Sequence, residues 1–373
     1  MKKHTFILLS FLLLISHLTW AQETIKVLFI GNSYTASNNL PEMIKQMAQS
    51  TGDNLIYESY LPGGSRFLNH ANNPDVLNKI NSEDWDFVVL QGQSQETAFP
   101  QAMLDAEIYP PVQSLVIDMR NNNSCSRVLF YMTWGRKNGD PLNCPHAPWF
   151  CTYETMDDAI YNTYMDLAET HEAEVSLVGA LWRYMNDNNY NIDFFSSDES
   201  HPSLAGSYAA VLAFYTMIFD KDPRAINWNS SINNQTAQSM KEAAKELIYD
   251  SRLDWDFRRM PEALFSSVSE NLKVEFTNLS ENYDSLLWDF GDGNTSNLEN
   301  PTHEFTENGS YTVSLEVYKC DSIDLHTETI YVENLNIEDF DTLSFSIYPN
   351  PTADILHIQS PETFESADIY ILD

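Results

Sequence analysis

With 373 residues the chain is too long for one ordinary hydrophobic core, and two or three domains are expected. Its 54 acidic side chains against 20 basic ones leave a formal charge of -34. That balance argues against nucleic acid or anionic lipid as a partner, because phosphate contacts need clustered Lys and Arg. Spread along the chain rather than held in one tail, the acidity reads as a solvated surface.

The chain opens Met1-Lys2-Lys3-His4, runs apolar from Phe6 to Leu18, and passes Thr19-Trp20-Ala21 before Gln22. A basic start, a short apolar run and small residues ahead of a cleavage point predict a secretory signal peptide over residues 1–21. No other segment approaches the roughly 20 apolar residues of a membrane span, so an exported protein without a transmembrane segment is expected.

From Ile25 to about Arg259 short β-rich runs alternate with helical patterns, which predicts an α/β domain with a parallel sheet covered by helices on both faces. The strand candidates are Ile25–Ile30, Leu55–Tyr60, Phe87–Gln91, Val128–Thr133 and Val175–Leu181. A helix is signalled by Pro41 at its opening turn, by Leu40, Met43, Ile44 and Met47 on one face, and by Gly52 as a stop. A second carries Leu204, Tyr208, Leu212 and Tyr215 at helical spacing behind His201-Pro202-Ser203. Of the four cysteines, Cys144 and Cys151 bracket a Pro-rich loop and are candidates for a local disulfide in an exported protein. There is no CxxC pair and no HExxH, so neither a metal nor another cofactor is expected.

After Arg259 the texture changes to short alternating stretches broken by Asn, Gly and Asp. Lys273–Thr277, Ser285–Phe290, Gly309–Tyr318 and Glu328–Val332 read as strands of a small antiparallel β-sandwich. Beyond them, Phe345–Pro351 and Ile355–Ile358 open a further β unit.

Chemistry concentrates at two places in the α/β region. The first strand ends in Gly31-Asn32-Ser33, and in a parallel sheet ligands bind outside the carboxyl ends of the strands. A serine hydroxyl is a weak nucleophile without a base, and the base needs an orienting group. Asp198-Glu199-Ser200-His201 supplies both, with an offset that lets carboxylate and imidazole meet while the ring faces the serine.

Residues 25 to about 220 resemble the SGNH (GDSL-like) hydrolase superfamily, whose blocks run Gly-Asp-Ser, a glycine, Gly-x-Asn and Asp-x-x-His. Gly31-Asn32-Ser33 matches the first block with Asn in place of Asp, and Asp198 to His201 matches the last. The resemblance implies a three-layer, flavodoxin-like domain in which Ser33, His201 and Asp198 form a catalytic triad. It also implies an oxyanion hole from the backbone N–H groups of Ser33 and of Gly64, in Leu61-Pro62-Gly63-Gly64-Ser65-Arg66. The third block departs from the pattern. The segment Leu90-Gln91-Gly92-Gln93-Ser94-Gln95 offers no Asn, so a glutamine amide, from Gln91 or Gln93, is the expected donor. Trp134-Gly135-Arg136-Lys137 and the aromatic loop 138–153 follow the fourth strand, where they either line a sugar or aryl site or simply pack.

Trp288-Asp289-Phe290-Gly291-Asp292-Gly293, with Gly309-Ser310-Tyr311-Thr312-Val313, resembles a PKD (polycystic kidney disease) domain. Tyr348-Pro349-Asn350-Pro351-Thr352 resembles the opening of the C-terminal sorting domain of the type IX secretion system of Bacteroidetes, which implies contact with secretion machinery and delivery to the surface or the medium. The expected organisation is a signal peptide (1–21), an SGNH-like hydrolase domain (22–262), a PKD domain (263–334), and a linker with a partial sorting domain (335–373). The expected activity is a secreted serine esterase acting on small-molecule or glycan esters, with O-acyl groups on carbohydrate favoured. Lipid ester or thioester hydrolysis, an inactive surface-binding protein that uses the PKD module, and a metal-dependent phosphodiesterase or sulfatase are the rival readings.

Overall fold

The computed structural model describes residues 24–334, together with the backbone of two paired strands at Ser346–Tyr348 and His357–Gln359. The expected signal peptide lies outside the described residues, and so does the expected sorting segment apart from those two strands. The chain divides after Arg259 into two compact units.

The first unit is built on β1 (Thr24–Ile30), β2 (Asn54–Tyr60), β3 (Phe87–Leu90), β4 (Arg127–Tyr131) and β5 (Glu174–Ser176). They form one sheet in the order β2-β1-β3-β4-β5, with every ladder parallel. Phe-Val-Val-Leu in β3 is buried throughout, as a central strand covered on both faces requires. Successive residues of β4 show the two faces directly. Phe130 packs toward Tyr164 of the helix Tyr153–Thr170, and Tyr131 meets Phe214 of the helix Leu204–Phe219. Since neighbouring side chains in a strand point to opposite faces, these helices form the outer two of three layers. β1 has β2 on one side and β3 on the other, and Ile30 is in register with both Tyr60 and Leu90. The strand order therefore reverses beside β1, the place where open α/β sheets bind ligands.

Two elements differ from the sequence expectation. The fifth strand stops at Ser176, and Val178–Asp187 is a helix whose buried Val178, Leu181, Trp182 and Met185 fall at i, i+3, i+4 and i+7. An apolar run alone does not separate a buried strand from a buried helix. A short helix, Ser33–Ala36, also begins at Ser33, ahead of the expected one at Leu40–Ser50.

The second unit contains β6 (Phe265–Glu270), β7 (Lys273–Asn278), β8 (Ser285–Asp289), β9 (Thr295–Ser296), β10 (Thr302–Glu304), β11 (Gly309–Lys319) and β12 (Ser322–Val332). They form two antiparallel sheets, β10-β7-β6 and β12-β11-β8-β9, around a core of their own. Trp288 is its centre, packed between Phe265 (5.0 Å) and Phe276 (5.2 Å), with its indole N–H donating to the Leu298 carbonyl. β6 was not anticipated because Phe-Ser-Ser-Val-Ser-Glu carries turn-forming serines where a strand usually shows β-branched residues. β10 is too short to leave a periodic signal.

Candidate active site

Asn32 ends the extended path of β1 and caps the short helix that starts at Ser33: its side-chain oxygen accepts the Tyr34 N–H at 3.0 Å. Its amide NH2 donates to the carbonyls of Ser65 (3.0 Å) and Gly92 (3.1 Å). Asn32 thereby ties the loops after β2 and β3 to the residue just before Ser33.

Ser33 Oγ lies 2.9 Å from His201 Nε2, and His201 Nδ1 lies 2.5 Å from Asp198 Oδ2. The other oxygen of Asp198 accepts the Ser196 hydroxyl (2.7 Å) and the backbone N–H groups of Ser200 (3.0 Å) and His201 (2.9 Å). Partial burial pushes this carboxyl up, but the bonds from Ser196, His201 and Ser200 outweigh it and hold Asp198 well below the usual carboxylate range. An ionised Asp198 fixes the proton of His201 on Nδ1, which leaves the Nε2 lone pair facing the Ser33 hydroxyl. The turn that presents both residues closes through Ser196 N–H to the His201 carbonyl (2.8 Å), with Glu199 in the left-handed region at φ 59°. Glu199 is held from the loop after β4: its carbonyl accepts the Lys137 N–H at 3.0 Å and its carboxylate accepts Asn138 at 2.8 Å.

Behind the turn stands an aromatic stack of which the sequence pattern singled out only Trp134. Tyr34 lies flat on Trp134 (4.8 Å), Trp134 on Trp182 (3.8 Å), and Tyr34 meets the His201 ring edge-on. The Tyr34 hydroxyl pairs with Ser200 Oγ at 2.6 Å, and the Trp134 indole N–H donates to the Ser200 carbonyl at 3.0 Å. Side chain and backbone of Ser200, inside the Asp-x-x-His turn, are thus both held by packed rings. Trp134 is fully buried, and Trp149 donates to the Ala98 carbonyl at 2.7 Å, so these two indoles pack into the fold instead of forming an open sugar-stacking face. Cys144 and Cys151 form the expected disulfide.

The expected oxyanion donors are placed unevenly. Gln91 is fully buried, and its amide oxygen accepts the Asn32 N–H (3.0 Å) and the Thr35 hydroxyl (2.9 Å). Because Asn32 N–H can only donate, the amide orientation is fixed, and the NH2 turns to the Gly92 carbonyl. Gln91 is a strut beneath the loop. Gln93 is half-buried and its NH2 contacts Ser94 Oγ (3.0 Å) and Gln95 Oε1 (2.6 Å), within a cluster that also receives Arg136 Nη2 at 2.8 Å. Gly64 sits in an exposed turn at φ 70°, a conformation that favours glycine. The following residue, Ser65, is the one held by Asn32.

Glu96 is a buried carboxylate that sequence reasoning missed, since a Glu after Gln95 reads as an ordinary loop charge. It accepts the N–H groups of Gln93 (2.7 Å) and Phe67 (3.0 Å) and pairs with Arg66 Nε at 2.9 Å. Asp157 is also buried; it accepts the Gly135 N–H at 3.0 Å, and burial pushes its carboxyl up to about 7. Among the described residues no helix is long and apolar enough to cross a membrane.

Three comparisons with known proteins bear on these units. The α/β unit is similar to a solved DUF4886 family protein from Bacteroides uniformis, at 16% identity and a TM-score of 0.51, over 62% of this chain and 95% of that one. A candidate SGNH hydrolase from Slackia heliotrinireducens overlays 52% of this chain and 97% of its own at 22% identity and a TM-score of 0.43. A pre-pro-metalloprotease, PrtV, from Vibrio cholerae is 44% identical over 82 residues, which are 20% of this chain and 9% of that protein. The chain thus spans about a tenth of the length of that curated relative. The architecture is therefore a three-layer α/β unit on a parallel sheet, followed by an antiparallel β unit of which residues 261–333 match the PKD domain family.

Proposed function

We propose that the α/β unit, residues 22–262, is a serine hydrolase that cleaves carboxylic esters, with Ser33 as nucleophile, His201 as general base and Asp198 as its orienting group. The observation that carries the reading is the continuous relay from Ser33 Oγ through the His201 ring to Asp198, at 2.9 Å and 2.5 Å. Ser33 Oγ attacks the ester carbonyl carbon as its proton passes to His201 Nε2, and the imidazolium is stabilised by Asp198. His201 then returns the proton to the departing alkoxide, leaving an acyl-serine. A water molecule, deprotonated by the same ring, releases the carboxylic acid and restores Ser33. The N–H groups of Ser33 and Gly64, with the Gln93 amide, are the proposed donors to the oxyanion, since the amide of Gln91 is already engaged.

The substrate class we favour is O-acyl groups on carbohydrate, handled outside the cell. A signal peptide at residues 1–21, the sorting-type segment within 335–373 and the PKD unit at 263–334 fit an exported enzyme. The test is hydrolysis of p-nitrophenyl acetate by the wild type and by Ser33→Ala. The variant should lose at least about 10³-fold in rate while keeping its unfolding midpoint, and a fluorophosphonate probe should label Ser33 alone. Equal rates from the two proteins, or labelling elsewhere, would overturn the assignment.

A further inference from the structure

Glu96 has no exposed surface and takes no part in the relay from Ser33 to Asp198, yet its carboxylate is the meeting point of the two loops proposed to carry the oxyanion donors. One oxygen accepts the Gln93 N–H (2.7 Å) and the Phe67 N–H (3.0 Å); the other accepts Arg66 Nε (2.9 Å). Arg66 and Phe67 stand two and three residues beyond Gly64, and Gln93 three residues before Glu96. Gly92 shows how closely the parts fit, because a Cβ there would fall 2.5 Å from the Phe67 ring and also strike the Glu96 carboxylate. On the other side of the same two loops, Asn32 bridges the carbonyls of Ser65 and Gly92. The loop after β2 and the loop after β3 are thus stitched at two points, one beneath Ser33 and one at Glu96.

A buried carboxylate carries a desolvation cost that an apolar residue of similar size avoids, and such groups persist where they fix one geometry among several. We infer that Glu96 is a positioning residue: it holds the Gly64 turn and Gln93 in the mutual register that the oxyanion requires, without touching the substrate. The inference rests on the esterase reading for its catalytic consequence, but the clamp itself is measurable without it.

Glu96→Gln keeps the volume and one acceptor oxygen while setting an NH2 against Arg66, and Arg66→Gln removes the third bond, together with the Arg66 pair to Glu107 (2.8 Å), and leaves the two backbone bonds in place. In folded Glu96→Gln, amide exchange in 61–67 and 91–96 should accelerate together, and kcat on p-nitrophenyl acetate should fall about 100-fold, with KM within about threefold and an unshifted pH profile. Glu96→Asp should recover part of kcat, and Arg66→Gln should show a smaller loss of the same kind. Unchanged kcat in folded Glu96→Gln, or unchanged exchange in the two loops, would overturn the inference. If Glu96→Gln does not fold, Arg66→Gln decides by the same two readouts. If the wild type shows no Ser33-dependent hydrolysis, the esterase reading fails on that ground, and loop exchange alone then judges the clamp.

Discussion

Asn32 donates two hydrogen bonds that a carboxylate at the same position would lack. Both partners are carbonyl oxygens, of Ser65 and Gly92, and the residue is 2% exposed. This gives a physical reason for Asn at this position: where the loops after β2 and β3 both turn their carbonyls inward, the residue between them must be a donor. Asn32→Asp should therefore cost about 1–3 kcal/mol of stability at neutral pH. The buried carboxyl would be harder to ionise in the folded state than in the unfolded one, so the deficit should shrink as the pH falls to 4, close to the pKa of an unfolded Asp. Urea unfolding of the two proteins at pH 7 and pH 4 measures it, and a pH-independent difference would contradict the account. The same scale shows what the sequence could carry. Ser33, Asp198 and His201 were legible because a strand end and an Asp-x-x-His turn are local signals. The engagement of Gln91 was not, because it depends on which side chain meets the Asn32 N–H, a contact across 59 positions.

At the scale of elements, the parallel sheet was readable from its β-rich runs, and four of the five strands lie within a residue or two of the expected bounds. The fifth failed because the helix beginning at Val178 is apolar in the same stretch, and only its 3.6-residue spacing marks it. For the loop after β4 the sequence leaves a ligand rim and simple packing both open, and the packing side has its contacts: the loop carries Trp134 against the Ser200 carbonyl of the Asp198 turn and sets the Gly135 N–H on Asp157. That last bond predicts a pH dependence. The Asp157 carboxyl is raised to about 7 by burial, with the Gly135 N–H and Arg183, 3.8 Å away, opposing the shift. The folded protein thus holds a proton that the unfolded chain releases near pH 4, and the contribution of this residue to stability declines as the pH rises from about 4 to 7. Asp157→Asn keeps an acceptor for Gly135 and removes the charge. Its midpoint of thermal unfolding should gain on the wild type as the pH is raised from 5 to 8, with the two closest at the acid end. A constant gap across that range would show that Asp157 is ionised throughout.

For the whole molecule, the two units differ in how they announce themselves. The PKD match covers residues 261–333, and within it the contiguous Trp288–Gly293 segment sends Trp288 and Phe290 into the core, so motif and packing coincide there. The α/β unit gives up its site only when separate segments are brought together at the carboxyl edge of the sheet. Each unit has a buried cluster of its own, and that makes their stabilities separable by mutation. Trp288 fills the smaller cluster, packing on Phe265 and Phe276 with its N–H committed to Leu298. Trp288→Ala should cost about 3–5 kcal/mol, a large part of the total stability of a domain this size. In the full-length variant, limited proteolysis should then cut within 260–333 while residues 24–259 stay resistant, and Ser33-dependent ester hydrolysis should remain within twofold of the wild type. Parallel loss of both would mean that the two cores unfold as one cooperative unit, and that the PKD unit sustains the α/β fold as well as following it in the chain.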